Sequence, residues 1–297
     1  MSPHRLVPLL ALVLLLFAPP APAAGTVRGR LSFESEALGG PLHYSLYLPP
    51  GYDEDAARRY PVVYLLHGLG GRDSDWVRMG RIRATADRLI ESGAIPPLIV
   101  VMPDGGNGWY VDSAAVGGPG DYGTAIGRDL IAHVDLTYRT VAGRRGRAIA
   151  GLSMGGFGAL RLAFAQPERF AAAASLSGAV FRPVRSAEEA PAEGRIFHGA
   201  FGTPFDPARF NRASLFDRID DVAALADPPG LYLAVGDDDG FGLWRSTVEL
   251  FLALRDAGVP AELRVTDGDH VWPLWADQIE GALHFLAGHL AAPSDEG

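Results

Sequence analysis

Four stretches of the chain are unbroken apolar runs: 61–66 (PVVYLL), 98–102 (LIVVM), 148–150 (AIA) and 231–235 (LYLAV). A strand with one wet face shows a polar residue at every second position. Runs without that alternation predict strands covered on both faces. Residues 26–35 and 42–48 do alternate and predict an antiparallel pair, and 261–265 (AELRV) predicts a late strand. Helical spacing of apolar positions predicts helices over 76–90, 125–138, 157–165, 246–257 and 275–290. Strand and helix in alternation predict an α/β fold, with a mostly parallel central sheet, helices on both faces and right-handed crossovers. Residues 181–227, rich in Pro, Arg, Phe and acid, break the rhythm. They read as a cap-like insertion over the carboxyl edge of the sheet, shaping specificity or lying on the surface without such a role. No repeat or second domain is evident, so 25–297 is expected to fold as one domain.

The first 24 residues do not belong to that pattern. A short polar start (His4, Arg5) precedes an apolar run at 6–17, and the small-x-small sequence Ala21-Pro22-Ala23 follows. This order predicts a cleaved secretory signal. A dozen apolar residues are too few to span a bilayer, so no stable membrane anchor is expected. The mature protein is expected to be secreted or periplasmic.

Composition narrows the chemistry. The chain has 26 cationic and 35 acidic side chains and a net charge of −9. It lacks the basic face that phosphate neutralisation requires, which excludes nucleic acid as a partner. Every cation is Arg, which excludes Schiff-base lysines and phosphate-loop lysines. Cysteine is absent, which excludes thiol nucleophiles, zinc–thiolate sites and disulfides.

The chemistry centres on Ser153. In 148–156 (AIAGLSMGG) an apolar strand enters and a helix leaves, with Gly151, Ser153 and Gly155 forming Gly-x-Ser-x-Gly. A tight strand-to-helix turn lifts the hydroxyl above the sheet, and its crowded backbone demands small neighbours. Among eight histidines, His270 alone follows the last strand and precedes the last helix, at the edge where open α/β sheets bind ligands. It is the expected base. The acid is expected in Asp237-Asp238-Asp239, directly after the 231–235 strand, with Asp239 favoured. The run fails calcium-loop spacing. One oxyanion donor is the N–H of Met154, after the nucleophile. The other is expected from His67-Gly68-Leu69-Gly70-Gly71, with Leu69 ahead of Gly68.

At this point the chain resembles the putative esterase family of α/β-hydrolases, which holds esterase D, tributyrin and feruloyl esterases and mycolyltransferases. The resemblance rests on LLHGLGG (65–71), VMPDGGNGWYVDS (101–113), AIAGLSMGGFGALRLA (148–163), VGDDDGF (235–241) and GDHVWPLW (268–275). It implies an α/β-hydrolase fold with Ser153 as nucleophile, Asp239 as acid, His270 as base, and Leu69 and Met154 as oxyanion donors. It also implies that Trp109, Tyr110 and Asp112 line the acyl or alcohol side. Asp269 departs from the pattern, because many relatives carry a second glycine before the histidine. The function implied is serine carboxylic-ester hydrolysis of a small-molecule ester through an acyl-enzyme, with no metal or organic cofactor. The alternatives are acyl transfer to a sugar or lipid alcohol and, from another class, an inactive secreted carbohydrate-binding protein.

Overall fold

The structure, a computed structural model, describes residues 24–294. The expected signal segment therefore lies, but for Ala24, outside the described residues. The strands are β1 (Thr26–Ser35), β2 (Gly40–Leu48), β3 (Val62–Leu66), β4 (Ile99–Pro103), β5 (Arg147–Leu152), β6 (Ala172–Leu176), β7 (Gly230–Gly236) and β8 (Ala261–Thr266). They form one sheet in the order β1-β2-β4-β3-β5-β6-β7-β8. β2 pairs antiparallel with β1 and with β4, and every other pairing is parallel.

The helices among the described residues are α1 (Asp75–Arg78), α2 (Ile82–Glu91), α3 (Tyr122–Thr124), α4 (Ile131–Thr137), α5 (Met154–Ala165), α6 (Pro207–Arg212), α7 (Ile219–Ala223), α8 (Leu243–Asp256) and α9 (Trp272–His289). The unbroken apolar runs now have a physical reason. Val62, Tyr64 and Leu66 of β3 feed the core under α4, α5 and α8, while Val63 and Leu65 feed the opposite core under α2 and α9. Residues of both parities are buried, so no position in the strand is free to be polar.

Three features depart from the hydrophobic pattern. β6 is AAASL, whose alanines carry no strand signal of their own, yet all five residues are buried between β5 and β7. The helix expected over 76–90 is broken into α1 and α2. A Cβ on Gly80 would lie 2.4 Å from the Trp76 ring, and Arg81 adopts φ +51°. The Trp76 indole is itself held by donating to the Leu66 carbonyl at 3.0 Å. The helix expected over 125–138 begins earlier, at Tyr122, and is wound as a π-helix over Ala125–Leu130.

Residues 181–227 connect β6 to β7 and carry α6 and α7. Their centre is Phe197, fully buried and ringed by Trp109, Phe201, Phe205 and Phe210 at centroid distances of 4.8, 5.0, 5.6 and 5.1 Å. This aromatic cluster gives the segment a core of its own, joined to the main core through Trp109 and Phe157.

Candidate active site

Parallel strands deliver four loops to one edge. The loop after β3 brings His67–Gly71, the turn after β5 brings Ser153, the loop after β7 brings Asp239, and the loop after β8 brings His270. Ser153 sits at φ +53°, ψ −120°, a conformation sparsely populated by non-glycine residues. The flanking glycines explain how this turn closes. A Cβ on Gly151 would meet the Gly155 carbonyl at 2.4 Å, and one on Gly155 would meet the His67 carbonyl oxygen at 2.5 Å. Both obstacles are backbone, so only hydrogen fits.

The structure brings Ser153, His270 and Asp239 into one hydrogen-bonded chain. His270 Nδ1 lies 2.7 Å from Asp239 Oδ2, and His270 Nε2 lies 3.0 Å from Ser153 Oγ. The Asp239 carboxylate only accepts, so Nδ1 carries the proton and donates to it. Nε2 is thereby left to accept from the serine hydroxyl. The Asp239 side chain is fully buried. Its other oxygen accepts from the N–H groups of Phe241 and Leu243 at 3.0 and 3.4 Å. Asp237 and Asp238 are exposed and do not line the cavity. With Asp267 they are the acidic groups close enough to share a cation among the described residues.

Asp269, the departure from the resembled pattern, braces the two loops. Its Oδ1 accepts from its neighbour His270 N–H at 2.6 Å and from Gly240 N–H across the cleft at 2.8 Å. Those two backbone bonds, His270 first, hold its carboxyl below the ordinary carboxylate range. The position next to His270 was legible in the sequence. Its reach to Gly240 was not, because the two residues are 29 positions apart.

His67 orients the loop after β3. Gly105 N–H donates to its Nε2 at 2.8 Å, so its Nδ1–H donates to the Gly68 carbonyl at 2.7 Å. Gly71 N–H donates to the same carbonyl at 3.0 Å. In a trans peptide the N–H points opposite to the carbonyl, so the Leu69 N–H is turned away from His67. Neither this N–H nor that of Met154 has a protein acceptor among the described residues.

A cavity of about 890 Å³ opens over Ser153 and His270. Trp109 lines it, together with Phe181 and Ile196 from the 181–227 segment. The Trp109 indole donates to the Ile196 carbonyl at 3.1 Å, tying the loop to that segment. The structure does not bring Tyr110 or Asp112 to the cavity. Tyr110 is fully buried, and its hydroxyl donates to the His67 carbonyl at 2.9 Å. The exposed Asp112 carboxylate accepts from the Thr124 N–H and hydroxyl at 2.8 and 2.7 Å. Adjacent residues on a tight loop face different ways, which residue type alone does not reveal.

Comparison with known proteins fits this geometry. Residues 35–286 match the family described as "Putative esterase". An esterase of Mycobacterium tuberculosis is 34% identical over 266 residues, covering 81% of this chain and 55% of its own length. The chain thus spans about half the length of that relative. An acetyl esterase of Caldicellulosiruptor saccharolyticus is 25% identical over 233 residues, covering 76% of this chain and 82% of its own. A solved ferulic acid esterase superposes with a TM-score of 0.74 at 26% identity, covering 90% of this chain and 99% of its own. By a match over most of its length and by the α/β-hydrolase fold shared with solved esterases, the chain belongs to the putative esterase family.

Proposed function

We propose that this chain is a secreted serine carboxylic-ester hydrolase that works through an acyl-enzyme on Ser153. The observation that carries the reading is the Asp239–His270–Ser153 chain, with contacts of 2.7 and 3.0 Å, at the floor of a large cavity. Membership of the putative esterase family supports it. Secretion rests on the sequence of residues 1–24. Among the described residues no helix is long and apolar enough to cross a membrane.

In this mechanism His270 Nε2 takes the Ser153 proton as Oγ attacks the ester carbonyl. Asp239 steadies the imidazolium that forms. The N–H groups of Leu69 and Met154 take the oxyanion, aided by the positive end of the twelve-residue α5. His270 then returns the proton to the leaving alkoxide. Water, deprotonated by the same imidazole, releases the acyl group and restores Ser153. The rings of Phe241 and Trp275 stand nearly perpendicular to the imidazole at centroid distances of 4.9 and 4.8 Å. Trp275 is buried and helps keep water from the imidazole, and away from water the bonds of the chain are electrostatically stronger.

The test is Ser153→Ala, assayed with p-nitrophenyl acetate and butyrate and with a fluorophosphonate label. Hydrolysis and labelling should both vanish while the circular dichroism spectrum is kept. Undiminished turnover in the variant overturns the assignment.

A further inference from the structure

Among the described residues, seven large hydrophobic side chains are exposed. Four of them, Leu69, Met79, Phe241 and Val271, line the cavity over Ser153, with exposures between 41% and 77%. They come from four separate segments: the loop after β3, the end of α1, the loop after β7 and the loop after β8. Chain-local composition therefore does not explain their convergence. Each leaves apolar surface in water, and a contiguous exposed apolar patch on a folded protein marks a binding surface. Met79 stands at the break between α1 and α2.

The walls beneath the rim agree in character. They include Trp109, Phe181, Ile196, Leu243, Trp272 and Trp275. The ionisable side chains that line the cavity are Asp75 and His270. Asp75 is buried, and its Oδ2 is spent on the Arg72 N–H at 3.0 Å. Among the described residues no arginine lines the cavity, so an anionic group on the substrate would meet no arginine counter-ion from them. A volume of about 890 Å³ is far larger than an acetyl or butyryl group needs and lies in the upper part of the range for drug-sized ligands.

The geometry points to an ester that carries a long, uncharged, straight apolar chain, with its far end lying across the Leu69–Met79–Phe241–Val271 rim. This inference deepens the proposed function and rests on it. Each methylene that leaves water for the cavity or rim strengthens transition-state binding, so kcat/KM rises with chain length.

The experiment is a panel of p-nitrophenyl esters from acetate to dodecanoate, kept below their aggregation limits, with the hemisuccinate and the ferulate added. For the wild-type protein kcat/KM should climb by roughly two- to four-fold per methylene up to medium chain length. The hemisuccinate should fall at least ~10-fold below the butyrate, because its carboxylate is desolvated without a partner. Met79→Ser, at a rim position away from the imidazole, should lower the dodecanoate-to-acetate ratio of kcat/KM by about 5-fold or more. Leu136→Ser, an exposed position that does not line the cavity, should leave that ratio unchanged. The inference is overturned if kcat/KM falls steadily from acetate onward or if the ferulate exceeds every straight-chain ester. It is equally overturned if Met79→Ser lowers both esters alike. Absence of any ester cleavage or fluorophosphonate labelling in the wild type would instead sink the proposed function itself.

Discussion

Asp239→Asn isolates the part of the proposed mechanism that a change of one atom can reach. Asp239 Oδ1 accepts from the N–H groups of Phe241 and Leu243, while Oδ2 accepts from His270 Nδ1–H at 2.7 Å. An asparagine has one acceptor oxygen to divide between those duties. Turning it toward His270 would take the acceptor from both N–H groups, and the buried one, on Leu243, would cost about 1–3 kcal/mol. The oxygen therefore stays with the backbone, and the amide nitrogen faces His270. That nitrogen donates, so Nδ1 must accept, and the imidazole proton moves to Nε2. Nε2 lies 3.0 Å from Ser153 Oγ, and it now presents a proton where the mechanism needs a lone pair. A triad histidine held in the wrong tautomer loses about 10⁴-fold in kcat, or ~5 kcal/mol of barrier. The assay is steady-state hydrolysis of p-nitrophenyl acetate, with circular dichroism to establish that the fold is kept. KM should change little, because the binding surface is untouched. Asp237→Asn and Asp238→Asn, at exposed positions, should stay within about two-fold of wild type. If Asp239→Asn retains more than a tenth of wild-type kcat, the role assigned to Asp239 is wrong.

Other outcomes follow from the same geometry. Gly155→Ala places a Cβ 2.5 and 2.7 Å from the carbonyl oxygens of His67 and Leu66. It should cost about 1–3 kcal/mol in urea unfolding and shift the turn that carries Ser153, lowering kcat, and a variant with native kcat would contradict that packing. Phe197→Ala empties the centre of the aromatic cluster and should cost about 3–5 kcal/mol, read by urea unfolding, whereas a loss under ~1 kcal/mol would mean the cluster is not packed as described. Asp269 has a depressed pKa in the folded protein, so its brace stabilises above the ordinary carboxylate pKa and is lost as pH falls through the depressed value. The Tm advantage of the wild type over Asp269→Asn should therefore shrink as pH falls below the ordinary carboxylate range, and a difference constant through that fall would refute the brace.

The strands that carry the site were legible because their physics is local to the sequence. β3, β4, β5 and β7 are buried on both faces, and burial leaves an unbroken apolar run wherever alanine does not dominate. β6 is the exception that tests the rule: four small residues and one leucine suit the tight space between β5 and β7 but carry no hydrophobic signature. The Gly151–Ser153–Gly155 spacing was legible for a related reason. The turn forbids a side chain at both flanks, so the constraint is written in residue type. Asp239 stood out less clearly from its two neighbours. What separates them is which carboxylate faces inward, and three adjacent aspartates look alike until the loop is folded.

By itself, the sequence determined the alternation of strand and helix, the strained serine turn and the candidate acid and base, because each imposes a constraint on residues close in the chain. Tertiary structure alone decided that Asp239, His270 and Ser153 meet and that Asp269 reaches Gly240. It also decided that Trp109 faces the cavity while Tyr110 does not, and that four exposed hydrophobics from distant loops form one rim. The hydrogen bonds among those relations join residues from 29 to 117 positions apart, and the others depend on how separate segments come together or which way a loop side chain turns. The path of the backbone sets both, and no local pattern encodes it.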